Sequence, residues 1–137
     1  MNRLSWNEYA LKLAEVAALR SEDPYVQVGA CILDKDNRVL SLGYNGLAPG
    51  TNVDPTFWED RDGRRPYMLH AEVNALSLVK RNEGAAILAC NLLPCTSCAQ
   101  MIAAYGIKTV VYKEEYTRDD QAKKIFTFYG IDLISLQ

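Results

Sequence analysis

The sequence predicts an α/β fold of three layers, α/β/α, on a mixed sheet of roughly five strands. Three observations predict it. From His70 onward, helical and strand-like patterns alternate, which implies parallel strands joined by helical crossovers. Before them, two strand-like runs flank the short polar link Asp34-Lys35-Asp36-Asn37, which implies an antiparallel hairpin. A helical pattern opens the chain.

The elements follow in order. Between Ser5 and Leu19, Tyr9, Leu13, Val16 and Ala17 recur at helical spacing. Ser5 followed by Glu8 is a capping-box pattern, and Pro24 lies beyond the helix end. Residues 25–33 read as a buried strand through Val26, Val28, Ala30, Cys31 and Ile32, and residues 38–44 as its hairpin partner. Residues 45–67 hold three of the five prolines and little periodicity. A loop of that length in a small domain is usually functional or disordered. Its place just before His70 suits a flap over a site; a packed surface loop anchored by Phe57 and Trp58 is the alternative. Residues 70–80 read as a helix and 85–89 as a strand. Residues 95–105 read as a helix with Ala99, Ile102 and Ala103 on one face and Gly106 as its C-cap. A strand at 107–112, a helix at 119–128 stopped by Gly130, and a strand at 131–136 complete the pattern.

The 137 residues suit a single domain, 1–137, with one substantial core. A content of 49% hydrophobic and 23% charged residues is ordinary soluble usage. No apolar run approaches the roughly 18 residues of a membrane span, and the N-terminus does not resemble a secretory signal. The cysteines are Cys31, Cys90, Cys95 and Cys98. A chain of this size needs no disulfide staples, so a reducing, cytoplasmic setting is expected. Cys31 and Cys90 lie in apolar runs and read as small core residues. The formal net charge is −2, and Arg61, Arg64 and Arg65 are interleaved with Glu59, Asp60 and Asp62. A polynucleotide partner, which asks for a basic surface, is not expected. A mononucleotide with one phosphate asks far less.

His70 is the only histidine, Glu72 follows two residues later, and Pro94-Cys95-Thr96-Ser97-Cys98 comes further on. Residues two apart on a helix point about 200° apart. His70 and Glu72 therefore meet at one site only if that site lies off a helix end. Cys95 and Cys98 open a second helix, with Pro94 just before it. Two helix N-termini should thus converge on one metal, their positive ends favouring thiolate. Zinc with two thiolates and a neutral imidazole is formally neutral and keeps a fourth tetrahedral position for water. Such a site acidifies that water less than three neutral ligands would, so a nearby base becomes useful. Glu72 is the candidate. A Cys-x-x-Cys alone could be redox-active or half of a zinc knuckle. A structural zinc normally takes four protein ligands, and Cys31 or Cys90 would have to reach in.

The string His70-Ala71-Glu72-Val73-Asn74-Ala75 with Pro94-Cys95 and Cys98 resembles the cytidine deaminase-like superfamily. Arg20-Ser21-Glu22-Asp23-Pro24 with Gln27-Val28-Gly29-Ala30-Cys31, the turn Gly43-Tyr44-Asn45-Gly46, and Gly106-Ile107-Lys108 with Tyr116 are similar to stretches of the deoxycytidylate (dCMP) deaminases. The resemblance runs from Trp6 to about Phe128. It implies the cytidine deaminase-like fold, a catalytic zinc ion on His70, Cys95 and Cys98, Glu72 as proton carrier, and hydrolysis of dCMP to dUMP for thymidylate synthesis. It further implies that Asn45 holds the deoxyribose hydroxyl, that the Ala71 amide binds the base carbonyl, and that Tyr116 stacks on the pyrimidine. Arg20 and Ser21 are the candidates for the substrate phosphate. The resemblance also implies a homo-oligomer, a hexamer in many members, activated by dCTP with Mg²⁺ and inhibited by dTTP. Gly43, Tyr44, Asn45 and Gly46 would take part in that regulation. The location implied is the cytoplasm, or the host cytoplasm for a viral chain. With one histidine, a second, structural zinc is not expected. Alternatives are a deaminase accepting both dCMP and dCTP, a deaminase of another nucleotide or base, or a zinc scaffold without catalysis. The acidic balance weighs against tRNA, and Glu72 has no use in a scaffold.

Overall fold

The computed structural model describes residues 2–115 and 120–137. Five strands form one sheet: β1 (Gly29–Asp34), β2 (Val39–Tyr44), β3 (Ala85–Leu92), β4 (Thr109–Glu114) and β5 (Asp132–Ser135), in the order β2-β1-β3-β4-β5. β1 runs antiparallel to both β2 and β3, whereas β3, β4 and β5 are parallel. The hairpin and the helical crossovers expected from the sequence are both present.

The strand side chains alternate between two cores. Ala30, Ile32, Leu88, Cys90 and Val110 face one layer, packed with α3 (Ala71–Leu76), α4 (Thr96–Ala104) and α5 (Asp120–Phe128). Cys31, Leu33, Ala89 and Val111 face the other, packed with α1 (Trp6–Ala18). Both cysteines of the strands are free and buried, as their apolar surroundings suggested. Phe126 of α5 is fully buried, a contribution of roughly 1.5–3 kcal/mol.

α1 begins where its capping box requires. Ser5 Oγ accepts from the Glu8 amide at 3.1 Å, and Glu8 Oε1 accepts from the Ser5 amide at 2.8 Å. Its buried face differs from the expected one. Ala10, Leu11, Ala14, Ala17 and Ala18 are buried, while Val16 is 63% exposed. The packed stripe is mostly alanine because the helix lies against β1 at Gly29. A Cβ on Gly29 would stand 1.9 Å from the Ala14 carbonyl oxygen.

β1 starts at Gly29 rather than Tyr25. The backbone ahead of it bonds to side chains instead of a strand. Asp23 Oδ1 accepts from the amides of Tyr25 and Val26 at 2.8 and 3.2 Å. The Asn45 amide accepts from the Val28 N–H at 2.9 Å and donates to the Val26 carbonyl at 3.0 Å. Asn91 does the same for the Gly29 N–H and the Gln27 carbonyl. β3 runs on to Leu92, three residues beyond the expected end, because β4 continues to pair with it. α3 is shorter than expected and closes at Leu76, where Leu78 and Val79 turn back onto Ala75 and Leu76. Gly106 and Gly130 adopt φ of +83° and +69° after α4 and α5, the left-handed geometry of helix ends.

Residues 45–67 are folded into short turns. A 3₁₀ turn at Pro55–Glu59 is capped by Asp54, α2 (Arg61–Arg64) is capped by Asp60, and a second 3₁₀ turn covers Arg65–Tyr67. Phe57 and Trp58 pack edge to face at 5.1 Å. The Tyr25 hydroxyl donates to the Trp58 carbonyl. The anchored packing expected of Phe57 and Trp58 is thus present, and the segment's end forms one wall of the cavity described next.

Candidate active site and metal centre

α3 is held against β2 by two local features. Ser41 Oγ donates to the Ala75 carbonyl at 2.7 Å. A Cβ on Gly43 would meet the Ala71 carbonyl oxygen at 2.5 Å and the Ala75 nitrogen at 2.6 Å. Gly43 thereby lets the helix approach the strand. α4 leaves the C-terminal end of β3 through Pro94. At the heads of these helices His70 and Cys95 are the N-caps, both with extended backbone (φ −75°, ψ 148° and φ −73°, ψ 174°). Neither side chain caps its own helix. Instead they meet: His70 Nδ1 lies 3.5 Å from Cys95 Sγ and 3.3 Å from Cys98 Sγ. Tetrahedral zinc with bonds of about 2.3 Å to sulfur and 2.0–2.1 Å to nitrogen separates such atoms by roughly 3.5 Å. His70, Cys95 and Cys98 are a group that could hold a metal ion, and their donor types suit zinc.

The hydrogen bond from Cys98 brings the Cys95 thiol down to about 3, with His70 and Ser97 adding to the effect against burial. The same bond, with burial, pushes Cys98 up. A bound divalent ion would favour the thiolate form of both. The Cys95 bond also raises the His70 imidazole, more than burial lowers it. Glu72, in the first turn of α3, is 4% exposed. Burial raises its carboxyl first of all; its own backbone amide, His70 and the Cys98 thiol pull it down. A carboxyl so placed holds a proton more readily than one in water, and it lines the same cavity as His70 and Cys95.

His70, Ala71, Glu72 and Cys95 line a cavity of about 330 Å³. That volume lies within the range of small-molecule sites. Asn45 also lines it and is buried, its side-chain amide bonded to the 26–28 backbone. Ala71 is the first residue of α3, so its amide has no intrahelical carbonyl to bond. Arg20 and Ser21 do not line the cavity. Arg20 stands 6.0 Å from the Tyr44 ring centroid, and Ser21 Oγ is taken by the Asp23 amide at 3.2 Å. The two lie just ahead of Asp23, which does line the cavity. Gly46 pairs with Leu69 through two backbone bonds, and Tyr44 is partly exposed on β2. Tyr116 lies outside the described residues.

The cavity contains charges that the motif reading did not assign. Asp23, Arg64 and Arg65 line it. Arg64 and Asp23 form a buried ion pair, with Nη2 to Oδ2 at 2.9 Å and side chains 5% and 2% exposed. Arg64 Nε lies 3.1 Å from both carboxylate oxygens. The partners are 41 residues apart, so no local spacing announces them.

The match to known proteins agrees with this geometry. Residues 4–114 match the family described as "Cytidine and deoxycytidylate deaminase zinc-binding region". The deoxycytidylate deaminases of Mus musculus and Homo sapiens are each 35% identical over 141 residues, covering 93% of this chain and 78% of the relative. The crystal structure of dCMP deaminase from the cyanophage S-TIM5 in complex with dCMP and dUMP aligns with a TM-score of 0.83 and 30% identity. That alignment covers 99% of this chain and 100% of the phage chain. By its sequence over residues 4–114, its mixed sheet and its His/Cys/Cys group, the chain belongs to the cytidine and deoxycytidylate deaminase family.

Proposed function

We propose that the chain hydrolyses dCMP to dUMP, releasing ammonia. The observation that carries this reading is the buried Glu72 lining one cavity with His70 and Cys95, which group with Cys98. The choice of dCMP is supported by the names of the mammalian relatives and by the ligands of the phage enzyme. Zinc held by His70, Cys95 and Cys98 would supply Lewis-acid polarisation of the water that attacks the amino-bearing carbon. Glu72 takes one proton of that water at its carboxylate and delivers it to the adjacent ring nitrogen; it then carries the remaining hydroxyl proton to the amino group, and the C–N bond breaks to release ammonia as the carbonyl forms. The Ala71 amide binds the base carbonyl and Asn45 the deoxyribose hydroxyl, while Tyr116 stacks on the ring. The apolar wall at Val26 and Val28 shields the base from water. Regulation belongs to the same reading: dCTP with Mg²⁺ activates and dTTP inhibits through the turn Gly43, Tyr44, Asn45 and Gly46, in a cytoplasmic homo-oligomer, a hexamer by resemblance. The cation Arg20 beside Tyr44 supports a nucleotide there.

The test is to incubate the purified zinc-loaded protein with dCMP, dCTP, CMP and deoxycytidine and follow the loss of cytosine absorbance. Turnover of dCMP is expected to be fastest. No turnover of any of the four would sink the proposal. Repeating the dCMP assay with dCTP or dTTP tests regulation, and a flat response removes it.

A further inference from the structure

We infer that the Ser97 hydroxyl donates a hydrogen bond to the Cys95 thiolate and serves as a positioning residue for the metal group. This rests on the zinc reading above and names a residue that the motif leaves unassigned. Ser97 is one of the two residues between the cysteines of Cys95-Thr96-Ser97-Cys98, and the ligand spacing by itself asks for no hydroxyl there.

The head of α4 supplies the contact. Cys95 is the N-cap and Ser97 the second residue of the helix. Ser97 Oγ lies 3.3 Å from Cys95 Sγ. Between a thiol and a hydroxyl either group can donate, but a thiolate only accepts. Once Cys95 ligates a metal, the direction of the bond is therefore fixed and the hydroxyl donates. The same sulfur lies 3.5 Å from His70 Nδ1, so one atom meets both the imidazole and the hydroxyl.

The two cysteines differ in how they are held. Cys98 is 1% exposed and is followed by the fully buried Ala99, so packing fixes its side chain. Cys95 is only half-buried. A less enclosed side chain has more rotamer freedom to lose on ligation. A hydrogen bond to its sulfur orients that ligand before the metal arrives. Charge points the same way. Two thiolates already match a divalent ion, and the buried Glu72 carboxylate, in the same cavity wall as Cys95, adds a further negative charge. A hydroxyl donor takes up part of the thiolate charge without burying another ion. Sulfur that passes less charge to the metal leaves it better able to polarise its water.

The experiment measures zinc affinity by competition with a chromophoric chelator for the wild type, Ser97→Ala and Ser97→Thr. Ser97→Ala is expected to weaken zinc binding by about tenfold, and Ser97→Thr, which keeps the hydroxyl, to stay within about threefold of wild type. Cobalt(II) in place of zinc gives a thiolate-to-metal absorption band, which should shift in Ser97→Ala and return in Ser97→Thr. Ser97 is exposed and alanine is the better helix former, so the metal-free Ser97→Ala protein should unfold close to the wild-type temperature. Zinc affinity within twofold of wild type in Ser97→Ala overturns the assignment. So does a weaker affinity with an unmoved cobalt band and a lower metal-free unfolding temperature, which would mark a packing role. A wild type that binds neither metal sinks the zinc reading and this inference with it. A wild type that binds zinc, loses affinity with Ser97→Ala and deaminates nothing would sink the proposed reaction and leave the role of Ser97 standing.

Discussion

The two charged parts of the cavity are built in opposite ways. His70 and Cys95 are N-caps, and each shares its short segment with the group it works with: Glu72 two residues on, Cys98 three. Once two helix heads meet, the group that could hold a metal ion is complete. Asp23 and Arg64 share nothing in sequence, being 41 residues apart. One comes from the turn after α1, the other from α2. Their pairing depends on the 45–69 segment folding back over Tyr25. A short-range constellation can survive small shifts of its scaffold as a unit. A long-range pair is exposed to every change in the loop that brings it together.

The largest effect tests the first part alone. Glu72→Gln keeps the His70, Cys95 and Cys98 donors and removes the proton carrier. Its zinc content should stay at the wild-type level while kcat on dCMP falls by about 10²–10⁴. A variant that remained active would remove Glu72 from the mechanism.

Arg64→Leu tests the second part, and on stability. It leaves the Asp23 carboxylate buried without its partner, which costs about 3–5 kcal/mol. Denaturant unfolding should show that loss, and Asp23→Asn added to Arg64→Leu should return some of it. A single variant as stable as wild type would mean that the pair is not what holds the segment.

Gly43→Ala has the smallest expected effect and joins the two parts. The new Cβ would press on the Ala71 and Ala75 backbone, forcing α3 away from β2 at about 1–3 kcal/mol. Because Glu72 sits in the first turn of α3, kcat should fall along with Tm. If Gly43→Ala changed only the response to dCTP or dTTP, the glycine would belong to the regulatory turn and not to helix packing.

Much of this was legible in the chain, for identifiable reasons. The alternation after His70 and the hairpin at residues 34–37 announce a mixed sheet of roughly five strands, since helical crossovers imply parallel pairing and short links antiparallel pairing. The His70, Glu72, Cys95 and Cys98 pattern announces a metal site at helix heads, since helix geometry allows no other meeting point. Apolar spacing includes Val16 in the α1 stripe, whereas packing against Gly29 selects small residues that hydrophobicity ranks low. Composition starts the first strand at Tyr25, four residues ahead of Gly29, where it begins. Asp23, Asn45 and Asn91 satisfy that backbone from outside the sheet, and side-chain amides leave no period in a sequence.

What the sequence by itself determined was whatever is encoded within a turn or two of chain: element types, caps, and the chemistry of the metal-ligating residues. Tertiary structure alone decided which cations reach the cavity. Arg20 and Arg64 look alike in sequence, one beyond a helix and one within a mixed-charge run. The fold buries Arg64 against Asp23 and leaves Arg20 outside by Tyr44. A charge's role depends on which distant carboxylate and ring it meets, and that is settled only when segments far apart in the chain pack together.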